Sequence, residues 1–165
     1  AIEPIIIVGI YNTSDRSDEY IPGKKGTAYM DFVVNTVKPF IDKQYRTKPG
    51  RKHTMVGGSS AGGIISFMLA WEYPNVFSRA ICMSPAFKIN HIDYVKEVTN
   101  YTGKKKKIKL YIDNGGIGLE EISKLKQLNL PIYALDVNSK FETEPGLKNS
   151  NACKGKRTPC SFARY

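Results

Sequence analysis

The chain has 165 residues, 41% of them hydrophobic, and 25 Lys and Arg against 15 Asp and Glu give a formal charge of +10. This is the size and composition of one soluble globular domain with room for a core. The longest apolar run near the N-terminus, Pro4 to Ile10, is far too short to span a bilayer, and it lacks the basic flank and cleavage site of a signal peptide.

Hydrophobic periodicity predicts an alternation of strands and helices. Pro4 to Ile10 reads as the first strand, and its run Ile5, Ile6, Ile7, Val8 suits a sheet covered on both faces. A helix over about 29–45 follows, with Met30, Val33, Val34, Val37 and Ile41 on one face and Pro39 as a kink. Lys52 to Val56 forms a short strand. Ala61 to Tyr73 is a helix with Ile64, Ile65, Met68, Leu69 and Trp71 at roughly helical spacing, stopped by Pro74. Then come a strand over 79–84, a short helix over about 92–101, a strand over 107–113, a helix over about 119–128 lined by Leu119, Ile122, Leu125 and Leu128, and a strand over 131–137. Such alternation implies an α/β fold with a doubly wound, mostly parallel sheet. Residues 1–137 form that domain. Residues 138–165 show neither period and read as an irregular basic tail.

The positive charge gathers in two places, Lys104 to Lys107 and the tail, where six basic side chains face two acidic ones for a net of +4. Neither carries aromatic interleaving or a recognition-helix pattern, so they read as a solvated loop and a loose tail, and no nucleic-acid or membrane partner is expected. Cys82, in an apolar strand-like run, is expected to be a buried, inert thiol. Cys153 and Cys160 can pair in an oxidising compartment, but no Cys and His spacing makes a zinc site, and no metal or cofactor is expected. The sequons Asn12-Thr13-Ser14 and Asn100-Tyr101-Thr102 matter only in a glycosylating pathway. Compartment and oligomeric state stay open; a secreted or periplasmic location is compatible.

The chemistry concentrates in Gly57-Gly58-Ser59-Ser60-Ala61-Gly62-Gly63. Gly58-x-Ser60-x-Gly62 between a strand and a helix has the spacing of a nucleophile elbow, in which a sharp turn exposes a serine for acyl transfer. The small residues Gly58 and Gly62 leave room for that turn. Phosphate-cradling alternatives fail, because no Lys-Ser/Thr pair follows the glycines and no window fits Gly-x-Gly-x-x-Gly. Ligands of open parallel sheets sit outside the carboxyl ends of the strands, so Ser60, the segment Ser84 to Phe87 and the turn Asp113-Asn114-Gly115-Gly116 should converge on one rim.

Several ordered motifs extend this reading. Val8-Gly9-Ile10, Asp15-Arg16-x-x-Glu19-Tyr20-Ile21-Pro22, Val37-Lys38-Pro39-Phe40-Ile41-Asp42-Lys43-Gln44-Tyr45-Arg46-Thr47, the Ser60 segment, Tyr73-Pro74-Asn75-Val76-Phe77 and Met83-Ser84-Pro85-Ala86-Phe87 resemble the esterase family of α/β-hydrolase fold. That family includes feruloyl and acetylxylan esterases of carbohydrate esterase family one and the enterochelin esterases. The resemblance implies hydrolysis of a carboxylic ester, with acyl or feruloyl esters of carbohydrates as small-molecule substrates. Ser60 would attack the carbonyl and the Ala61 N–H would supply half of the oxyanion hole, while a His acts as base and an acid orients it.

The chain departs from that pattern at three points. Its histidines are His53 and His91, neither near the C-terminus where the family's base lies; seven residues of extended chain place His53 roughly 20 Å from Ser60. The acid is expected at Glu120, with Glu121 and Asp113 as alternatives; Glu120 and Glu121 also suit the acidic first turn of a helix. The family's first strands, with the other oxyanion donor, should precede residue 1. Both ends of a larger hydrolase are therefore expected to be missing or altered, and a catalytically impaired fragment with a binding role is the alternative reading.

Overall fold

In the computed structural model, the described residues are 3–89, 92–114, 124–125, 127–128 and 130–136. Four strands form a parallel sheet in the order β1-β2-β5-β6: β1 Met55–Ser59, β2 Arg79–Met83, β5 Lys109–Asn114 and β6 Ile132–Asp136. A two-residue antiparallel pair, β3 Lys88–Ile89 with β4 Ile92–Asp93, stands apart from it. The helices are α1 Arg16–Glu19, α2 Lys24–Phe32, α3 Lys38–Gln44, α4 Ala61–Glu72 and α5 Tyr94–Thr99. The α/β architecture with a parallel sheet is as expected from the alternation of periods.

Helix α4 is apolar on nearly every side, and the core forms around it. Phe67 and Ile64 are fully buried, and the cross-strand pairs Ala80 with Leu110 and Cys82 with Ile112 lie on one buried sheet face. On the opposite face of β2 and β5, Arg79, Met83 and Lys109 are exposed while Ile81, Tyr111 and Asp113 are half-buried. Phe67 meets the rings of Phe87 and Tyr94 edge-on, with centroids 5.3 and 5.9 Å away. Truncating such a buried Phe to Ala costs about 3–5 kcal/mol. Asp93 caps α5 by accepting the Lys96 N–H at 3.1 Å.

The expected first helix runs as α2, a π turn over Val33–Val37, and α3. Pro39 explains the irregularity: it has no N–H to give to Asn35, and its ring crowds that carbonyl in a regular helix. The chain widens instead, and the Lys38 N–H reaches back to the Val33 carbonyl. The helix also starts earlier than its apolar stripe, since Lys24 to Ala28 face solvent apart from Gly26.

Three expectations are corrected. Pro4 to Ile10 forms no strand; Ile5 and Ile7 are 71% and 83% exposed. Apolar, β-branched composition suits a strand, but a strand exists only where a neighbouring backbone completes the ladder, and among the described residues no strand pairs with residues 4–10. The strand expected over 52–56 begins later, because Arg51–His53 closes a 3₁₀ turn and β1 runs on through Ser59. The lysine run is not uniformly solvated: Lys106 is half-buried, donates to the Trp71 carbonyl at 2.6 Å and lies over the rings of Trp71 and Tyr101 at 4.7 and 4.9 Å. The tail 138–165 with Cys153 and Cys160, and most of the helix expected over 119–128, lie outside the described residues.

Candidate active site

Strand β1 ends at Ser59, α4 begins at Ala61, and Ser60 is the single residue between them. Its backbone sits at φ 55° and ψ −120°, a region L-residues avoid at a cost of order 1–3 kcal/mol. Surrounding bonds hold it there. The Ser60 N–H donates to the Met83 carbonyl at 2.9 Å, and the Ser60 carbonyl accepts from Gly63 at 2.9 Å, Ile64 at 3.2 Å and Ala86 at 3.3 Å. Ser60 is exposed and its side chain does not cap α4, so the hydroxyl faces outward at the head of the helix.

Sequence reading assigned the room for this turn to Gly58 and Gly62, and the structure divides it differently. A Cβ on Gly58 would lie 2.5 Å from the Gly62 carbonyl oxygen, so Gly58 is required. A Cβ on Gly62 meets nothing within 4 Å, whereas one on Gly63 would lie 3.0 Å from Pro85 Cα and 3.1 Å from the Met83 oxygen. The third glycine is needed because α4 packs its first turn against the segment after β2. The Gly-Gly doublet was the signal, and periodicity alone could not rank its members.

Ala61 is buried at the first position of α4. The opening N–H groups of a helix have no carbonyl partner within it, and they lie at the positive end of its dipole. An oxyanion forming on a carbonyl beside Ser60 would meet that field.

The expected convergence on one rim is present. Beside Ser60, the chain leaving β2 turns at Ser84, also a non-glycine residue at positive φ, 42°. The Ser84 N–H donates to Asp113 twice, to Oδ1 at 2.7 Å and to the main-chain oxygen at 3.1 Å. Asp113 lies near the end of β5, so the ends of three neighbouring strands are joined there. Cys82 lies under this rim, fully buried, and burial together with the Asp113 charge pushes its thiol up to about 12. It is the inert thiol expected of it. Sequence reading missed the role of Ser84; its one signal is the position just before Pro85, where backbone freedom is already restricted.

Other site expectations resolve unevenly. His53 is exposed in the turn preceding β1, at the end of the strand remote from Ser60. His91, Glu120, Glu121, Gly115 and Gly116 lie outside the described residues. Among the described residues no side chain accepts the Ser60 hydroxyl, and no three or more His, Cys, Asp or Glu gather as metal ligands. A cavity of about 390 Å³ lined in part by Trp71, Tyr101 and Lys106 lies by the C-terminal turn of α4, about 15 Å along the helix from Ala61.

Comparison with known proteins agrees with this geometry. A family model described as "Putative esterase" matches residues 1–128. The uncharacterized protein YjcH of Bacillus subtilis is 34% identical over 100 residues, which are 58% of this chain and 41% of that protein. Among solved structures, the enterochelin esterase of Shigella flexneri superposes with a TM-score of 0.65 at 13% identity, over 79% of this chain and 36% of that one. A ferulic acid esterase superposes with a TM-score of 0.58 at 16% identity, over 69% and 55%. The chain thus spans about half or less of the length of the proteins it matches. These likenesses show an α/β-hydrolase type of fold, and the family match over residues 1–128 shows that this chain belongs to the Esterase family.

Proposed function

We propose that this chain carries the nucleophile of a serine-dependent carboxylic ester hydrolase. The observation that carries the reading is Ser60 itself: an exposed hydroxyl on a backbone at φ 55°, ψ −120°, between a parallel strand and the head of a helix. In the proposed reaction, Ser60 Oγ attacks the ester carbonyl while a base takes its proton. The Ala61 N–H stabilises the oxyanion, the alcohol leaves with a proton, and water then cleaves the acyl-enzyme to acid and free Ser60. Glu120 is our candidate for the acid that orients the base, and residues 1–137 are the unit we assign to the hydrolase fold. Acyl or feruloyl esters of carbohydrates are the proposed substrates, and the feruloyl part of this draws on the ferulic acid esterase among the structural relatives.

A fluorophosphonate probe tests the nucleophile. The folded protein should be labelled and Ser60→Ala should not; equal labelling of both would sink the proposal. A second reading, a hydrolase-fold protein that binds a ligand without turnover, is favoured by the position of His53 at the far end of β1. Turnover of p-nitrophenyl acetate that disappears in Ser60→Ala would reject it.

A further inference from the structure

We infer that Asp113 is a positioning residue for Ser60, acting through the turn over residues 84–86; this rests on the reading of Ser60 as nucleophile. Among the described residues, Ser60 and Ser84 are the two non-glycine residues with positive φ, and they sit just past the ends of the adjacent parallel strands β1 and β2. A strained conformation persists only where its surroundings over-determine it. For Ser84 that hold comes from Asp113, whose Oδ1 accepts the main-chain N–H at 2.7 Å and lies 3.4 Å from the Ser84 hydroxyl. A hydrogen bond to an ionised carboxylate is roughly twice as strong as a neutral one.

The same turn grips Ser60 from both sides. Met83, just before Ser84, accepts the Ser60 N–H at 2.9 Å, and Ala86, two residues after it, donates to the Ser60 carbonyl at 3.3 Å. Between them Pro85 packs against the spot that a Cβ on Gly63 would fill, 3.0 Å from Pro85 Cα. Asp113 therefore reaches Ser60 through a short rigid chain: carboxylate to Ser84 amide, the turn to Ala86, and Ala86 to the Ser60 carbonyl. Without the carboxylate, Ser84 keeps only the 3.1 Å bond to the Asp113 main-chain oxygen, so the strained turn that carries Ala86 is held less firmly. A misplacement of about 1 Å at a reacting atom can cost about 10²-fold in rate.

The test compares wild type, Asp113→Ala, Asp113→Asn and Ser60→Ala in p-nitrophenyl acetate turnover, with pH profiles. Asp113→Ala is expected to lower kcat by about tenfold or more with KM within about twofold, the pattern of lost positioning. Asp113→Asn keeps an oxygen for the Ser84 N–H and should recover most of that loss, with the pH profile of wild type. If Asp113→Ala does not fold, Asp113→Glu, which shifts the oxygen by one methylene, is expected to show the same fall in kcat at steady KM. Wild-type kcat in Asp113→Ala, or in its substitute Asp113→Glu, would overturn the inference. So would an Asn variant as impaired as Ala, since replacing a triad Asp by Asn costs on the order of 10⁴ in kcat. Absence of Ser60-dependent turnover in wild type would overturn the nucleophile reading as well, whereas the other outcomes strike at Asp113 alone.

Discussion

The main chains of Gly58 and Gly62 lie so close that a Cβ on Gly58 would sit 2.5 Å from the Gly62 carbonyl oxygen, whereas a Cβ on Gly62 would meet nothing within 4 Å. The two glycines of Gly58-x-Ser60-x-Gly62 thus differ in what they tolerate. Gly58→Ala forces backbone to move and should destabilise the protein by about 2 kcal/mol or more, with Ser60 displaced. Gly62→Ala faces open space, and Ala is the better helix former by about 1 kcal/mol, so it should be neutral or stabilising. Urea unfolding of the two variants checks the contrast, and equal effects would refute it.

Ser60 holds a backbone conformation that glycine adopts without a Cβ penalty. Ser60→Gly should therefore be more stable than Ser60→Ala by about 1 kcal/mol, while both lose fluorophosphonate labelling. Thermal unfolding of the pair reads the strain directly, because neither variant retains the hydroxyl.

Cys82 gives a prediction at alkaline pH. Its ordinary value of 9.0 rises to about 12 in the fold, through burial and then the Asp113 charge. Below pH 9 the thiol is protonated in both states, and its titration adds no pH dependence to stability. Between 9 and about 12 the unfolded state loses its proton first, so stability falls as pH rises through that window. Burial raises Tyr94 in the same direction, helped by Glu72. Cys82→Ala should be less stable than wild type at neutral pH but lose stability more slowly above pH 9. Iodoacetamide mapping by mass spectrometry should find Cys82 unmodified until the protein unfolds.

Lys106 closes the far end of the core. It spans the rings of Trp71 and Tyr101 and donates to the Trp71 carbonyl. Cation–π contacts contribute about 0.5–2 kcal/mol as they become desolvated, so Lys106→Gln should cost about 1 kcal/mol. Trp71 is the chain's single tryptophan, and its emission reports both the unfolding transition and the changed environment.

Much of this was legible in the residues. Strands β2 and β6, helix α4 and the turn at Ser60 follow from short-range pattern: apolar runs, helical spacing from Ile64 to Trp71, glycines around a serine, and Pro74 as a stop. Each depends on interactions within a few residues, which a linear chain displays. The ordered motifs added the family, because several spaced matches are far more specific than one.

What only the tertiary structure decided depends on neighbours distant in sequence. Pro4 to Ile10 has the composition of a strand but no ladder among the described residues, because pairing belongs to two segments and not to one. That Gly63 and not Gly62 must stay small was set by Met83 and Pro85, twenty and twenty-two positions away from Gly63. Nothing in the linear order of Ser84 and Asp113 shows that they meet, yet the parallel register of β2 with β5 brings the carboxylate to the Ser84 amide and, through Ala86, to Ser60. The sequence by itself determined that there would be an exposed serine at the head of a helix; what holds that serine in place was decided by the three strands that end beside it.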